Sequence, residues 1–132
     1  MKKFVIDAGV LSLYFIGDER VRPYLGKITK GIDKAFVCDV NLAEYYYKMC
    51  EKLGKSIAKI RYHQIRESPI EVVATDEELT RRAGEKKCVY RGKLSLADCF
   101  CLALAELKNA VILTTDSELA KVKEVNVKHF SV

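Results

Sequence analysis

Residues 96–116 have the sequence LADCFCLALAELKNAVILTTD, in which a long apolar segment is followed by a shorter one. Asp98 is the only charged residue in the first ten positions, and apolar side chains lie on nearly every side of a helix drawn through them. Such a helix is expected to be buried. The run Val111–Thr114 is typical of a buried strand. A buried helix leading into a buried strand indicates an α/β domain, in which helices cover a parallel sheet.

The rest of the chain repeats this alternation of short β-branched or aromatic runs with longer segments of helical period. We predict strands at Lys3–Asp7, Ala35–Cys38, Ile70–Val73, Val111–Thr114 and Val127–Phe130. We predict helices at Gly9–Ile16, Arg20–Lys30, Val40–Leu53, Ser56–Glu67, Asp76–Cys88, Leu96–Leu107 and Ser117–Val122. The length of 132 residues fits one domain spanning residues 1–132.

Composition predicts a folded protein, since 49% of the residues are hydrophobic and 31% are charged. The net charge of +5 suits a polyanionic partner without demonstrating one. An odd set of five cysteines argues against a secreted disulfide scaffold and favours the cytoplasm. Cys99 and Cys101 are two apart in a helical pattern, so we interpret them as buried side chains and not as metal ligands. Asp7 interrupts the apolar run at the N-terminus, and we expect no signal peptide and no membrane-spanning segment.

Four carboxylates stand near the predicted strand ends: Asp7, Glu44, Asp98 and Asp116. Each has an ordinary structural role available. Asp7 and Asp116 can cap the helices that follow them. Glu44 can pair with the lysine four residues later. Asp98 lies three residues after Ser95, which is the spacing of a capping box.

Their common placement also predicts a site. The carboxyl ends of parallel strands meet at one edge of a sheet, so all four carboxylates can share one cleft. Ionised carboxylates at close range repel, and a divalent cation would neutralise them. Oxygen ligands suit Mg²⁺ or Mn²⁺, whereas zinc is less favoured because neither His63 nor His129 is near a carboxylate of the set in the sequence. This predicts metal-assisted phosphodiester hydrolysis.

The segments that contain these carboxylates also carry a family resemblance. They are Phe4-Val5-Ile6-Asp7, Asn41-Leu42-Ala43-Glu44, Leu96-Ala97-Asp98 and Leu113-Thr114-Thr115-Asp116. In this order, over essentially the whole chain, the sequence resembles the PIN-domain ribonucleases and among them the VapC-type toxins of prokaryotic toxin–antitoxin pairs.

The resemblance implies a three-layer α/β/α domain with a five-stranded parallel sheet of order 3-2-1-4-5. It also implies an Mg²⁺- or Mn²⁺-dependent endoribonuclease that acts on single-stranded RNA, forms a homodimer and is inhibited by an antitoxin protein. Asp7, Glu44, Asp98 and Asp116 become the metal-binding, catalytic residues. The alternative is a PIN-like module that binds RNA or a protein without cutting.

Some positions depart from the family pattern or leave alternatives open. Gly9 stands where the family often has a small polar residue, so a hydrogen bond from that position is absent. Glu118 can reach a metal or can be a solvated helix residue. Thr114 and Thr115 can orient a carboxylate or a water, or can be ordinary strand residues. Gly9 also disfavours a haloacid-dehalogenase-like phosphatase, which needs a second Asp there.

Two groups of basic residues are candidates for RNA binding. The first group precedes the Asp98 helix: Arg81, Arg82, Lys86, Lys87, Arg91 and Lys93. The second is interleaved with tyrosines on a predicted helical hairpin: Lys48, Lys52, Lys55, Lys59, Arg61 and Arg66. Aromatic side chains beside cations suit stacking on single-stranded bases. At helical spacing, however, some of these tyrosines must face the core.

Overall fold

A computed structural model describes residues 1–132 and contains one five-stranded sheet. Its strands are β1 (Lys3–Ile6), β2 (Lys34–Cys38), β3 (Glu71–Val73), β4 (Val111–Thr114) and β5 (Val127–His129). All neighbours pair in parallel, and the strand order is β3-β2-β1-β4-β5. The predicted fold class and strand order are therefore confirmed.

Helices connect the strands and cover both faces of the sheet. They are α1 (Ala8–Phe15), α2 (Arg22–Thr29), α3 (Asp39–Leu53), α4 (Lys55–Glu67), α5 (Glu77–Val89) and α6 (Leu96–Lys108). Gly54, between α3 and α4, has a φ of 92°, a value that glycine adopts without steric cost. None of the helices is long and apolar enough to cross a membrane.

Several predicted elements are shorter than expected. The structure shortens α2 (Arg22–Thr29), β3 (Glu71–Val73) and β5 (Val127–His129) by one or more terminal residues, and two further elements are also shorter. The helix predicted over Ser117–Val122 is only a 3₁₀ turn at Leu119–Lys121, because so short a segment cannot offset the cost of nucleating an α-helix. Asp7 is not part of β1. Its side chain accepts a hydrogen bond from the Val10 N–H and so starts α1.

The core has two hydrophobic clusters, one on each face of the sheet. Strand residues alternate between them: Phe4 and Ile6 pack in the cluster with α1 to α4, whereas Val5 packs in the cluster with α5 and α6. The result is the predicted three-layer arrangement. In α6 the seven consecutive residues Cys99–Ala105 are buried, and this includes both cysteines of the helix. The helix contacts α5, α3 and three strands, which accounts for its apolar sequence.

Candidate active site

A polar pocket of about 360 Å³ lies where β1 and β4 end. No hydrophobic side chain lines it, and its lining residues are Asp7, Gly9, Glu44, Lys48, Lys93, Ser95, Asp98, Thr115 and Asp116. The structure thus brings all four predicted carboxylates into one pocket. The reason is topological: β1 and β4 are neighbouring parallel strands, and α3 and α6 begin beside their carboxyl ends.

Asp7 is the most buried of the four carboxylates. Its Oδ1 accepts a hydrogen bond from the Val10 N–H at 2.9 Å, as expected for a helix cap. Its Oδ2 accepts from the Thr114 hydroxyl and from the Thr115 N–H. Burial raises the pKa of Asp7 to about 6. The three hydrogen bonds act to lower this pKa, and the negative charge of Asp98 acts to raise it. Burial therefore outweighs the hydrogen bonds, and the ionised form of Asp7 is poorly compensated.

Thr114 connects the carboxylates that follow β1 and β4. Its hydroxyl donates to Asp7 and accepts the N–H of Asp116 at 2.9 Å. Both alternatives left open for Thr114 therefore hold, since it ends β4 and its hydroxyl also bonds a carboxylate. Asp116 Oδ1 accepts the N–H groups of Glu118 and Leu119 at 2.8 and 2.9 Å, which leaves its Oδ2 without a hydrogen bond from the protein.

Asp98 belongs to a capping box at the start of α6. Its Oδ2 accepts the Ser95 N–H at 3.2 Å, and its own N–H donates to the Ser95 hydroxyl at 3.1 Å. The pKa of Asp98 is raised, first by burial and then by the negative charge of Asp116. Glu44 adds a smaller contribution of the same sign. The charge of Asp98 therefore interacts with those of Asp7, Asp116 and Glu44.

Glu44 extends into the pocket from α3, and two lysines line the pocket as well. The Lys48 amine lies 3.4 Å from Glu44 Oε2, one turn further along the helix. Lys93 lies in the segment before α6. The sequence predicts the pairing of Lys48 with Glu44, whereas it places Lys93 only in a broad basic group. Their presence gives an acidic pocket a positively charged rim, which suits an anionic ligand.

Three of the ordinary roles predicted for the carboxylates are present in the structure: a helix cap at Asp7, an ion pair at Glu44 and a capping box at Asp98. The predicted helix after Asp116 is only a 3₁₀ turn with Glu118 at its N-cap, and Asp116 accepts N–H groups in the turn that precedes it. No three side chains of the kind that ligate metals are placed so that they could hold one ion together. The oxygens left free on Asp98, Asp116 and Glu44 instead fit an ion held by one or two carboxylates and completed by water or phosphate oxygens. This is the way in which Mg²⁺ is usually bound.

Most of the basic residues proposed to line an RNA path are engaged elsewhere. Lys86 pairs with both Glu106 and Glu124, at 2.9 and 3.0 Å. Lys87 donates to the Leu94 carbonyl. Arg81 and Arg82 each pair with a glutamate one turn away on α5. The pairs within α5 have the spacing of one helical turn, whereas the contacts of Lys86 join residues far apart in the chain and are not visible in the sequence. Of this group only Lys93 reaches the pocket.

Two further side chains lie close to the site without lining it. Glu118 pairs with Lys121 at 3.2 Å and has a partly exposed side chain, which favours the solvated-residue interpretation. His129 is nearer than its sequence position indicated, because pairing of β5 with β4 places it opposite Thr114. Its Nε2 lies 3.3 Å from the Thr115 carbonyl oxygen, and it does not line the pocket.

A larger cavity of about 450 Å³ lies away from the carboxylates, between α1, α2 and α4. Its charged residues are Asp18 and Arg22, and Asp18 is already paired with Arg20 at 3.0 Å. Titratable groups that can assist a reaction are concentrated in the smaller, polar pocket. We therefore place the candidate active site there.

The fold and the pocket define a class of protein: a three-layer parallel-sheet domain with a cluster of carboxylates at the carboxyl edge of its central strands. The family model described as PIN domain matches residues 4–125. The chain therefore belongs to the PIN domain family. No protein of curated function matches the sequence significantly.

Solved structures share the fold at low sequence identity. DNA-bound VapBC from Salmonella typhimurium matches with a TM-score of 0.77 and 15% identity, covering 98% of both chains. VapBC2 from Rickettsia felis, bound to a promoter DNA fragment, matches with a TM-score of 0.75 and 16% identity, covering 97% of this chain and 98% of that one. VapC20 from Mycobacterium tuberculosis, described as a Sarcin-Ricin loop cleaving toxin, matches with a TM-score of 0.71 and 18% identity. The match covers 93% of this chain and 98% of that one. These similarities show a common fold.

Proposed function

We propose that this protein is an Mg²⁺- or Mn²⁺-dependent endoribonuclease that cuts single-stranded RNA and acts as the toxin of a toxin–antitoxin pair. One observation carries the proposal: Asp7, Glu44, Asp98 and Asp116 line the same polar pocket at the carboxyl edge of the sheet. Local structural roles alone do not require four carboxylates from separate segments of the chain to line one pocket.

One or two of the four carboxylates would hold the divalent ion directly, with Asp98 and Asp116 offering free oxygens, and the remaining carboxylates would bind the water ligands of the ion. Bound there, Mg²⁺ or Mn²⁺ supplies a Lewis acid that activates water and stabilises charge on the leaving oxygen. Thr114 fixes the Asp7 carboxylate and the Asp116 backbone, so the rear of the pocket is rigid. Lys48 and Lys93 attract the phosphate backbone and limit its repulsion by the acidic pocket.

Single-stranded RNA is the substrate that we propose for this site. The pocket admits a phosphate from the surface, and the exposed Tyr47 ring on α3 offers a surface on which an unpaired base can stack. Tyr45 of the same run is buried, as expected for tyrosines at helical spacing. These features favour RNA whose bases are free of pairing.

The toxin role and the partners rest on the structural relatives. VapBC from Salmonella typhimurium and VapBC2 from Rickettsia felis are complexes, and VapC20 is described as a toxin that cleaves the Sarcin-Ricin loop. We propose by analogy that this chain binds a small antitoxin protein and forms a homodimer. The support for this assignment is an analogy of fold, which extends over 98% of this chain and of VapBC from Salmonella typhimurium.

A cleavage assay with Asp98→Asn tests the function. The purified protein should cut single-stranded RNA in Mg²⁺ or Mn²⁺ and stop when EDTA is added. Asp98→Asn should lower cleavage by at least about 100-fold, since it removes a charge from the ion-binding set, while folding and RNA binding are retained. Asp76→Asn, at the capped start of α5, is the matched control because it makes the same chemical change outside the pocket. Cleavage by Asp98→Asn at the rate of the parent would reject the site.

The alternative is a PIN-like module that binds RNA or a protein partner without cutting it. The observation that favours it is that no three metal-ligating side chains are arranged to hold one ion together. In that case the parent protein would bind single-stranded RNA or a protein but leave RNA intact at every metal concentration. The same assay, with a gel-shift measurement beside it, separates the two functions.

A further inference from the structure

Gly9 and Thr115 both line the pocket, and there is no room for a side chain between them. A Cβ atom added to Gly9 would lie 1.9 Å from Thr115 Oγ1, and 3.0 Å from the Thr115 Cβ. Any side chain at position 9 would therefore overlap the threonine hydroxyl. The hydroxyl occupies the space that a residue-9 side chain would fill.

The backbone does not explain why position 9 is glycine. Gly9 lies in the first turn of α1 and is not among the glycines with a positive φ. Glycine also has a lower helix propensity than alanine. The requirement at this position is one of space, and the atom that needs the space is Thr115 Oγ1.

Thr115 is held firmly, yet its hydroxyl is not used by the protein. Its N–H donates to Asp7 Oδ2 at 3.3 Å, and its carbonyl oxygen lies 3.3 Å from His129 Nε2. The side chain lines the pocket. No hydrogen bond to another protein group involves its Oγ1, whereas the neighbouring Thr114 hydroxyl bonds both Asp7 and the Asp116 N–H. The backbone of Thr115 is thus held in place, and its hydroxyl, which has no protein partner, is free to bond a ligand.

We propose that Gly9 and Thr115 form one unit, in which the glycine makes room for a hydroxyl that donates a hydrogen bond to a phosphate oxygen of bound RNA. This inference rests on the proposed ribonuclease function. Ionised carboxylates only accept hydrogen bonds, so a phosphate entering this pocket needs donors. Lys48 and Lys93 supply charged donors, and Thr115 supplies a neutral one beside Asp7. Thr115 is thus a substrate-binding residue.

The first test removes the hydroxyl and keeps the shape. Thr115→Val should raise the KM for single-stranded RNA about tenfold and lower kcat by a smaller factor, because a hydrogen bond to a charged phosphate is lost. Thr115→Ser retains a hydroxyl and should show a much smaller rise in KM than Thr115→Val. Equal KM values for the valine and serine variants would overturn the proposal.

The second test moves the hydroxyl to position 9. Gly9→Ser alone should lower the thermal midpoint, because its Cβ overlaps Thr115. Gly9→Ser combined with Thr115→Gly relieves the overlap and restores a hydroxyl, whereas Gly9→Ala combined with Thr115→Gly is matched in backbone but has none. The serine pair should bind RNA at least about fivefold more tightly than the alanine pair. Equal binding would contradict the assignment.

RNA binding is measured by fluorescence anisotropy with every variant placed in an Asp98→Asn background, which separates binding from cleavage. If the parent protein fails to cleave RNA but the serine pair binds more tightly than the alanine pair, the proposed activity is wrong and the role of the hydroxyl stands. If the parent cleaves RNA and the two pairs bind equally, the hydroxyl assignment alone is wrong. Failure of all variants to bind single-stranded RNA would overturn both.

Discussion

Asp7 makes the folded protein less stable as the pH rises through the pKa of its buried carboxyl group. Burial raises the pKa of Asp7 to about 6 in the folded protein, against 3.8 for a free side chain. The folded state therefore holds the proton more tightly than the unfolded state. The stability from protonated Asp7 is complete below pH about 4 and is lost as the pH rises through about 6, a change of up to about 3 kcal/mol.

We expect Asp7→Asn to remove this part of the pH dependence, because the amide does not ionise. The measurement is the free energy of unfolding by urea at a series of pH values, in EDTA so that divalent ions are absent. The parent should lose stability relative to Asp7→Asn between pH about 4 and about 6. Parallel pH profiles for the two proteins would mean that Asp7 is ionised at no cost in the fold.

Individual roles were predictable from sequence where the contacts are local. The cap at Asp7, the capping box at Asp98 and the local hydrogen bonds of Asp116 follow from spacing along the chain. The contact between Gly9 and Thr115 joins residues far apart in the sequence, and no local pattern reports it. The same holds for Lys93, whose approach to the pocket depends on how the segment before α6 folds back.

At the scale of elements, the start of α6 links stability to the site. Ser95→Ala removes the helix cap and with it one partner of Asp98. We expect a loss of about 1 kcal/mol in the free energy of unfolding. RNA cleavage should also fall, since the first turn that carries Asp98 is less fixed. Both quantities are measured on the same preparation, by urea unfolding and by initial cleavage rates.

Asp76→Ala is the matched control for this element. Asp76 caps α5 by accepting the Leu79 N–H at 2.8 Å, and it does not line the pocket. It should cost a similar amount of stability and leave cleavage unchanged. If Ser95→Ala and Asp76→Ala affected cleavage equally, the capping box would have no special connection with the site.

Element types were largely predictable because the periodic patterns are strong. The buried α6 and the strand β4 were identified from their apolar sequences, and β4 has the predicted bounds. The 3₁₀ turn after Asp116 was not predictable, because its three residues resemble the first turn of an α-helix in sequence. The position of His129 depends on strand register, and the sequence alone does not fix which residues of β4 and β5 pair.

At the scale of the whole molecule, we propose that residues 1–132 form one cooperative unit. The hydrophobic clusters on the two faces share the strands of a single sheet. Leu25→Ala in α2 and Leu102→Ala in α6 each create a cavity in a different cluster. Each should lower the free energy of unfolding by about 2–5 kcal/mol in one transition. Separate transitions for the two faces, detected by urea unfolding followed with two probes, would divide the chain into independent units.

The pocket's capacity to bind a divalent ion is tested most directly by a crystal structure of the protein soaked in Mn²⁺, with anomalous scattering recorded to locate the ion. We predict an anomalous peak in contact with Asp98 or Asp116 and within the pocket that Asp7 and Glu44 also line. The peak should be absent from crystals of Asp98→Asn grown and soaked in the same way. An ordered pocket without a peak in the parent crystals would contradict the proposed metal site and the nuclease mechanism built on it.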